Sequence, residues 1–404
     1  MASPKFTNPF RPGAGHPPPY LAGREEEKRE FEKMLEQDVV LDNLILTGLR
    51  GVGKTVLLET FKPIALKHGW LWAGTDLSES ATVSEHNLAI RVMADLAPLV
   101  TGLQIAEQEH PRVGFKATPR KEPVLLSYEL LESVYTSTPG LVADKLKAVL
   151  ELVWHALQPT KIKGIILAYD EAQNLSDQAV QGQYPLSLLL EVFQSLQKKG
   201  FLYMLVLTGL PTLFPKLVEA RTFAERMFHV TMLDKLNSKA SREAIQRPIQ
   251  QQSCPVSFEE REIKEIISSS GGYPYFIQFI CRECFDSFLQ QQARGVVKPM
   301  VSVGQIVRKL DSDFYAGRWN KVTDRQRELL SVIAGLKNAN DEFSVQQIVE
   351  RASSELSKGF SPSQVTQMLS KLSENGLVFK NRHGRYSFAV PLLGDFIQRQ
   401  MTVK

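Results

Sequence analysis

The sequence predicts an α/β fold: a parallel sheet with helices on both faces, then an all-helical region, then a small C-terminal domain. Three observations carry that prediction. Short apolar runs such as NLILT (43–47) and GIILAY (164–169) alternate with stretches of helical periodicity over the first 233 residues, the pattern of strands joined by crossover helices. From Leu236 to about residue 310 only the helical period remains. The last 85 residues or so change again, to three helices followed by two short strands around a turn.

Taken in order, residues 1–22 hold six prolines and no periodic pattern, the mark of an extended arm. A charged helix follows over 25–37. NLILT is unbroken in its apolar character, as a strand covered on both faces must be. A glycine-rich turn comes next, and a helix begins at Lys54, with Pro63 expected to kink or end it. WLWAGTDLS (70–78) reads as a second strand and 83–100 as a helix. Residues 102–140 are weakly patterned and contain prolines, so an insertion or long loop is expected there. A helix over 144–156 leads to GIILAY, expected at the sheet centre beside the 43–47 strand. A helix over 186–198 and strands over 201–209 and 227–233 complete the sheet. Helices over 323–333, 345–352 and 363–372, with a hairpin over 377–380 and 385–390 around NRHG, make a winged helix-turn-helix pattern.

Composition narrows the classes. With 404 residues, 43% hydrophobic and 23% charged, the chain has two or three globular domains' worth of core. A net charge of +4 permits an anionic partner without demanding one. The three cysteines, Cys254, Cys281 and Cys284, give no disulfide framework and fit a reducing cytoplasm. The Cys281–Cys284 pair alone cannot complete a four-ligand zinc site, which leaves a redox pair or two packed thiols. The polar, proline-rich start is not a signal peptide. The longest apolar run, FLYMLVLTGL from Phe201, is about half of what a membrane span needs.

The chemistry concentrates in GLRGVGKT (48–55) and LAYDEAQ (167–173). Strand, glycine turn and helix in succession are the setting of a phosphate loop. Gly48 and Gly53 lack Cβ, so the backbone N–H groups of Gly48, Leu49, Arg50, Gly51, Val52 and Gly53 can turn inward around phosphate oxygens. The helix starting at Lys54, Thr55 and Val56 adds its unpaired N-terminal donors. Lys54 offers a mobile cation for the terminal phosphates and Thr55 a hydroxyl for Mg²⁺. Asp170, at the end of a buried strand, is placed to hold Mg²⁺ through water, and Glu171 to polarise an attacking water. A nucleoside triphosphate with Mg²⁺ is the ligand this set implies.

These two motifs, with a helical region and a winged helix behind them, resemble the AAA+ ATPases. The resemblance is to the branch of archaeal origin-recognition initiators, archaeal-type ATPases and STAND switches, and DEAQ is also the form seen in transposon-encoded, DNA-bound ATPases. It spans roughly residues 20–404 and implies a P-loop NTPase core over 23–233, with 79–160 an insertion. A helical lid over 234–318 and a winged helix over 319–404 follow. LAGREEE (21–27) matches the entry motif of that branch, which implies that Gly23, Arg24 and Glu25 neighbour the adenine; an N-cap and charged helix is the plainer reading. Thr208 stands where such proteins carry a sensor near the terminal phosphate, or else caps its strand. Arg226 stands where an arginine finger would reach a neighbouring subunit's nucleotide, with Arg221 a competitor and a surface arginine the alternative. The resemblance thus implies a homo-oligomer. GGYPYF (271–276) lacks the sensor arginine usual at this point, the next being Arg282; its Pro274 resembles the form in which proline contacts the nucleotide region. That departure suits a slow switch better than fast, ring-driven hydrolysis.

In the C-terminal domain 361–372 reads as the recognition helix. Val365, Met368, Leu369 and Leu372 recur at core spacing, leaving Gln364, Gln367 and Lys371 outward. Lys380, Arg382, His383 and Arg385 cluster at the wing. Glutamine can read adenine and the cations can hold phosphate, so double-stranded DNA is one expected partner. A protein effector is the other, since winged helices also serve as protein contacts. The expected function is an ATP-binding and ATP-hydrolysing switch coupled to DNA binding or self-assembly. The alternative is a slow nucleotide switch with a protein output.

Overall fold

A computed structural model describes residues 7–13, 15–110, 120–251, 256–296, 301–382 and 384–402. Cys254 and His383 lie outside the described residues, and so does the side chain of Arg382. The chain divides into two compact units. One comprises Glu26–Thr47 and Leu57–Met232; the other comprises Met1–Glu25, Gly48–Val56 and Leu233–Lys404.

The first unit is built on a parallel sheet. Its strands are β1 (Asn43–Thr47), β2 (Trp70–Ala73), β5 (Gly164–Tyr169), β6 (Tyr203–Gly209) and β7 (Phe228–Met232), in the spatial order β2-β5-β6-β1-β7. Every residue of β1, β5 and β6 is buried, which is why these strands read as unbroken apolar runs. Asn43 ties the start of the sheet together. Its side-chain oxygen accepts from the Leu205 N–H at 2.7 Å, and its amide donates to the Met227 carbonyl at 3.1 Å. The helices Glu85–Val100, Val142–Leu157 and Pro185–Lys198 bury leucine and valine faces in the same core. One expectation is corrected here: β5 does not lie beside β1, because β6 stands between them. An apolar run marks a central strand, but two equally apolar strands carry no signal of which is the neighbour.

Two further corrections follow from local structure. The helix Lys54–Lys67 continues past Pro63 rather than ending there. Residues 102–140, expected as an insertion or long loop, are not a long loop: they contain an antiparallel hairpin of β3 (Gln104–His110) and β4 (Arg120–Leu125), then the helix Tyr128–Ser137. Leu131 and Tyr135 of that helix are buried in the core of the unit.

The second unit has two apolar clusters. The helices Ser238–Gln251, Glu260–Ser270, Pro274–Ala293 and Val303–Leu310 supply one, which also takes in Phe10 and Ala22 from the N-terminal arm. The arm is fastened by Asn8, whose amide donates to the Arg282 carbonyl at 3.0 Å and to Asp286 at 2.8 Å. The other cluster belongs to the C-terminal region. There the helix Asp324–Ala334, β8 (Phe343–Ser344), the helices Val345–Glu355 and Pro362–Glu374, and the hairpin of β9 (Val378–Arg382) and β10 (Arg385–Phe388) follow in the order of a winged helix. A closing helix, Leu393–Thr402, has no counterpart in the sequence reading; its Phe396 stacks on Tyr315 and its Arg399 pairs with Asp311. Val365, Leu369 and Leu372 are buried and Met368 is half-buried, as their spacing predicts. Among the described residues no helix is long and apolar enough to cross a membrane.

Candidate nucleotide site

The carboxyl ends of β1, β5 and β6 open on one edge of the sheet. Register pairs Thr47 with Gly209, Leu46 with Thr208 and Tyr169 with Leu207, so the residues that leave these strands emerge side by side. This edge is where open α/β sheets bind ligands. The glycine loop leaves β1 here, and Asp170 leaves β5.

The loop itself is shaped by what cannot fit. A Cβ at Gly48 would stand 2.4 Å from the Leu233 carbonyl oxygen, so no other residue keeps this path. Gly53 adopts a left-handed φ of 93° just before the helix Lys54–Lys67. Lys54 turns its ammonium onto the loop, donating to the carbonyls of Gly48 and Leu49 at 3.0 Å each.

Three other segments of the same unit hold the loop. Arg24, only 7% exposed, donates to the carbonyl of Val52 at 3.0 Å and to that of Asp234 at 2.7 Å. The Tyr275 N–H, one residue past Pro274, donates to the Gly51 carbonyl at 3.2 Å. Arg50 reaches the turn after the helix Pro362–Glu374, its Nη1 lying 3.3 Å from where a Cβ would stand at Gly376. The guanidinium of Arg318 is held below its ordinary range, first by burial and then by the charge of Arg50. The grip of Arg24 on Val52 was not legible from sequence, because a buried arginine inside a charged run looks like its solvated neighbours.

At the acidic edge Asp170 is 4% exposed and Thr208 fully buried. The Thr208 hydroxyl donates to Asp170 Oδ1, which also accepts the Glu171 N–H at 2.8 Å. Glu171 is exposed and holds a left-handed backbone, φ 50° and ψ 34°, a conformation that costs a non-glycine residue about 1–3 kcal/mol. Gln173 donates from Nε2 to Glu171 and accepts the Leu210 N–H at Oε1, 3.1 Å away. A third carboxylate, Asp76, pairs with Asp170 through a parallel β-bridge. Burial, then the charges of Asp170 and Glu171, hold its carboxyl above the usual range. DEAQ spelled out Asp170 and Glu171; nothing in WLWAGTDLS marked Asp76 as their neighbour.

The remaining sequence candidates are placed as follows. Gly23 has a left-handed φ of 63° ahead of Arg24. Arg226 is exposed at the end of a short 3₁₀ turn, Thr222–Arg226, and makes no ion pair among the described residues. Arg221 stands 4.0 Å from Glu191. Gln364 is exposed but its side-chain oxygen accepts the Ser361 N–H at 3.0 Å, so it caps the helix Pro362–Glu374. Gln367, Lys371 and Lys380 are exposed. Arg385 is half-buried and reaches Gln347 at 3.5 Å. Cys281 and Cys284 are both buried free thiols, and burial raises both above the ordinary thiol range.

A glycine loop leaving β1, a carboxylate pair leaving β5 and the order β2-β5-β6-β1-β7 define a class: the P-loop ATPase fold of AAA+ type. Solved structures narrow it. The chain is similar to a Walker-type ATPase of Pyrococcus abyssi, at 16% identity and a TM-score of 0.58, covering 94% of this chain and 96% of that one. It is similar to the ORC2 protein of Aeropyrum pernix in its ADP form, at 15% identity and a TM-score of 0.55 over 96% and 97% of the two chains. The same protein in ADPNP–ADP complexes matches at 14% identity and a TM-score of 0.53, over 97% and 98%. The fold is thus that of the ORC-like AAA+ ATPases. A family model described as a domain of unknown function (DUF8462) matches residues 312–397. No curated protein matches the chain.

Proposed function

We propose that this chain binds and hydrolyses ATP and uses the bound nucleotide to set its affinity for double-stranded DNA. The observation that carries the reading is the common edge at which β1, β5 and β6 end, with the glycine loop following Thr47 and the carboxylate pair following Tyr169. The loop's shape suits phosphate: a Cβ is excluded at Gly48 and Gly53 is left-handed. The Aeropyrum ORC2 protein, of the same fold, has been captured with ADPNP and ADP, which supports an adenine nucleotide here.

In this reading the backbone N–H groups of residues 48–54 and the Lys54 ammonium take phosphate oxygens. Lys54 exchanges its two carbonyl partners for them. Thr55 and Asp170 hold the Mg²⁺, which supplies charge neutralisation at the phosphates. Glu171 orients the attacking water, and Thr208 fixes Asp170. Gly23 and Arg24, with Pro274, flank the base. Arg226, exposed and without an ion pair among the described residues, completes the site of a neighbouring copy. Residues 23–233 form the nucleotide core, 234–318 the lid and 319–404 the DNA-contacting domain, through Gln367, Lys371 and Lys380.

The substitution Glu171→Gln tests the reading. ATP affinity is expected to stay within threefold of the parent while turnover falls at least a hundredfold, as loss of a positioned base allows. Binding by fluorescent ATP analogue and phosphate release are the measurements. Equal turnover in parent and variant removes Glu171 from its role, and no adenine-nucleotide binding in the parent removes the function.

A further inference from the structure

We propose that Gln173 is a positioning residue for hydrolysis: it holds the carboxylate of Glu171 and couples it to the end of β6. The inference rests on the ATPase reading above and goes beyond it by assigning a role to the last residue of DEAQ.

Glu171 has a long, solvent-exposed side chain on a left-handed residue. Left alone, such a carboxylate samples several rotamers, and only some would aim at a water in line with the terminal phosphate. Gln173 removes that freedom. Its Nε2 donates to Glu171 Oε2, and its Oε1 accepts the Leu210 N–H at 3.1 Å. Its backbone is fixed as well, because Lys216 Nζ donates to the Gln173 carbonyl at 2.9 Å. The 3₁₀ turn that carries it, Ala172–Asn174, is tied down by the Asn174 amide, which donates to the Leu77 carbonyl at 2.8 Å.

The residue type follows from the task. A group between a carboxylate and a backbone N–H must donate on one side and accept on the other. A primary amide does both with one planar group. Glutamate has no donor and adds a repelling charge beside Glu171; leucine has neither donor nor acceptor. The strand has made room for the amide: a Cβ at Gly209 would stand 2.8 Å from Gln173 Oε1. Two adjacent links therefore join the ends of β5 and β6. Thr208 bonds Asp170, and Leu210 bonds Gln173, which bonds Glu171. A displacement at the end of β6 is passed to Asp170 and to Glu171 together.

The test compares Gln173→Leu, Gln173→Glu and Gln173→His in the full chain. Gln173→Leu and Gln173→Glu should each lower kcat by about 10- to 100-fold, the scale of a misplaced catalytic group, with KM and ATP affinity within threefold. Histidine, with one donor and one acceptor, should recover at least a third of the parent kcat. Hydrogen exchange of the peptide spanning 209–212, without nucleotide, should quicken in Gln173→Leu but not in Gln173→His. A Gln173→Leu variant with parental kcat overturns the proposal. So does a loss of kcat that histidine fails to restore while exchange at 209–212 is unchanged, since that is a general structural defect. If the parent hydrolyses ATP and Glu171→Gln does so equally, the ATPase assignment of Glu171 has failed rather than the clamp. If exchange at 209–212 then still depends on Gln173, the link stands as structure and its catalytic role is overturned.

Discussion

At the scale of single residues, the phosphate loop is held from outside more than from within. Arg24 contributes most: a buried guanidinium with two backbone carbonyls as acceptors. Hydrogen bonds to a charged group are worth about 1.5–3 kcal/mol, and their loss strands the acceptors. Arg24→Ala should therefore destabilise the fold by about 2–4 kcal/mol in urea unfolding and weaken ATP binding with it. Arg24→Lys should recover only part of this, because a point charge cannot reproduce a fork that serves Val52 and Asp234 at once. Parental stability in Arg24→Ala would show that the arginine belongs to the ligand and not to the loop. Much of this level was invisible in sequence. Lys54, Thr55, Asp170 and Glu171 stand out because phosphate chemistry fixes their spacing along the chain. Arg24, Asp76 and Gln173 act on partners set beside them by folding, and no spacing rule encodes that.

At the scale of elements, strands were the most legible. NLILT and GIILAY carry their bounds in their composition, since Asn43–Thr47 and Gly164–Tyr169 are buried along their whole length. Neighbour order was not legible, and β6 came between β5 and β1. The β3–β4 hairpin was missed because its residues, such as QIAEQEH, lack the aliphatic density of a buried strand. The helix Pro274–Ala293 settles the CxxC question in favour of packed thiols. Burial pushes the Cys284 thiol up to about 12 and raises the Cys281 thiol well above its ordinary range. A raised thiol is nearly all protonated near neutral pH, so native protein should react with iodoacetamide at pH 8 roughly a thousandfold more slowly than unfolded protein. The sign for stability follows. The thiols favour the fold fully below their unfolded pKa of about 8.5, and that contribution is lost as pH climbs through the folded value. The Cys254→Ser background keeps the measurement to these two thiols; rapid labelling of native protein would show that the helix opens.

At the scale of the molecule, the phosphate loop is part of the same compact unit as the C-terminal region, not of the unit that holds the sheet. Gly51 accepts a bond from Tyr275, and Arg50 abuts Gly376 in the turn after the helix Pro362–Glu374. A ligand that reorders residues 48–56 must therefore disturb the domain proposed to meet DNA. Coupling of this kind typically amounts to about 1–3 kcal/mol. ATP and ADP should accordingly give DNA dissociation constants that differ by about 5- to 150-fold, and DNA should shift the ratio of nucleotide affinities by the same factor, as linkage requires. The binding itself should fall with salt. Replacing Lys371 and Lys380 by alanine should reduce the slope of log K against log salt by about 2, at roughly 0.9 for each phosphate that a lysine no longer neutralises. Arg50→Ala separates the two effects. It should leave nucleotide-free DNA affinity and its salt slope unchanged, yet bring the ATP and ADP values together when each nucleotide is saturating. Titrations by fluorescence anisotropy at two salt concentrations would decide it. Should Arg50→Ala preserve the ATP–ADP difference, the signal travels through the Tyr275 N–H and the helix Pro274–Ala293, and Tyr275→Pro, which removes that donor in the first turn of the helix, should then abolish what Arg50→Ala did not.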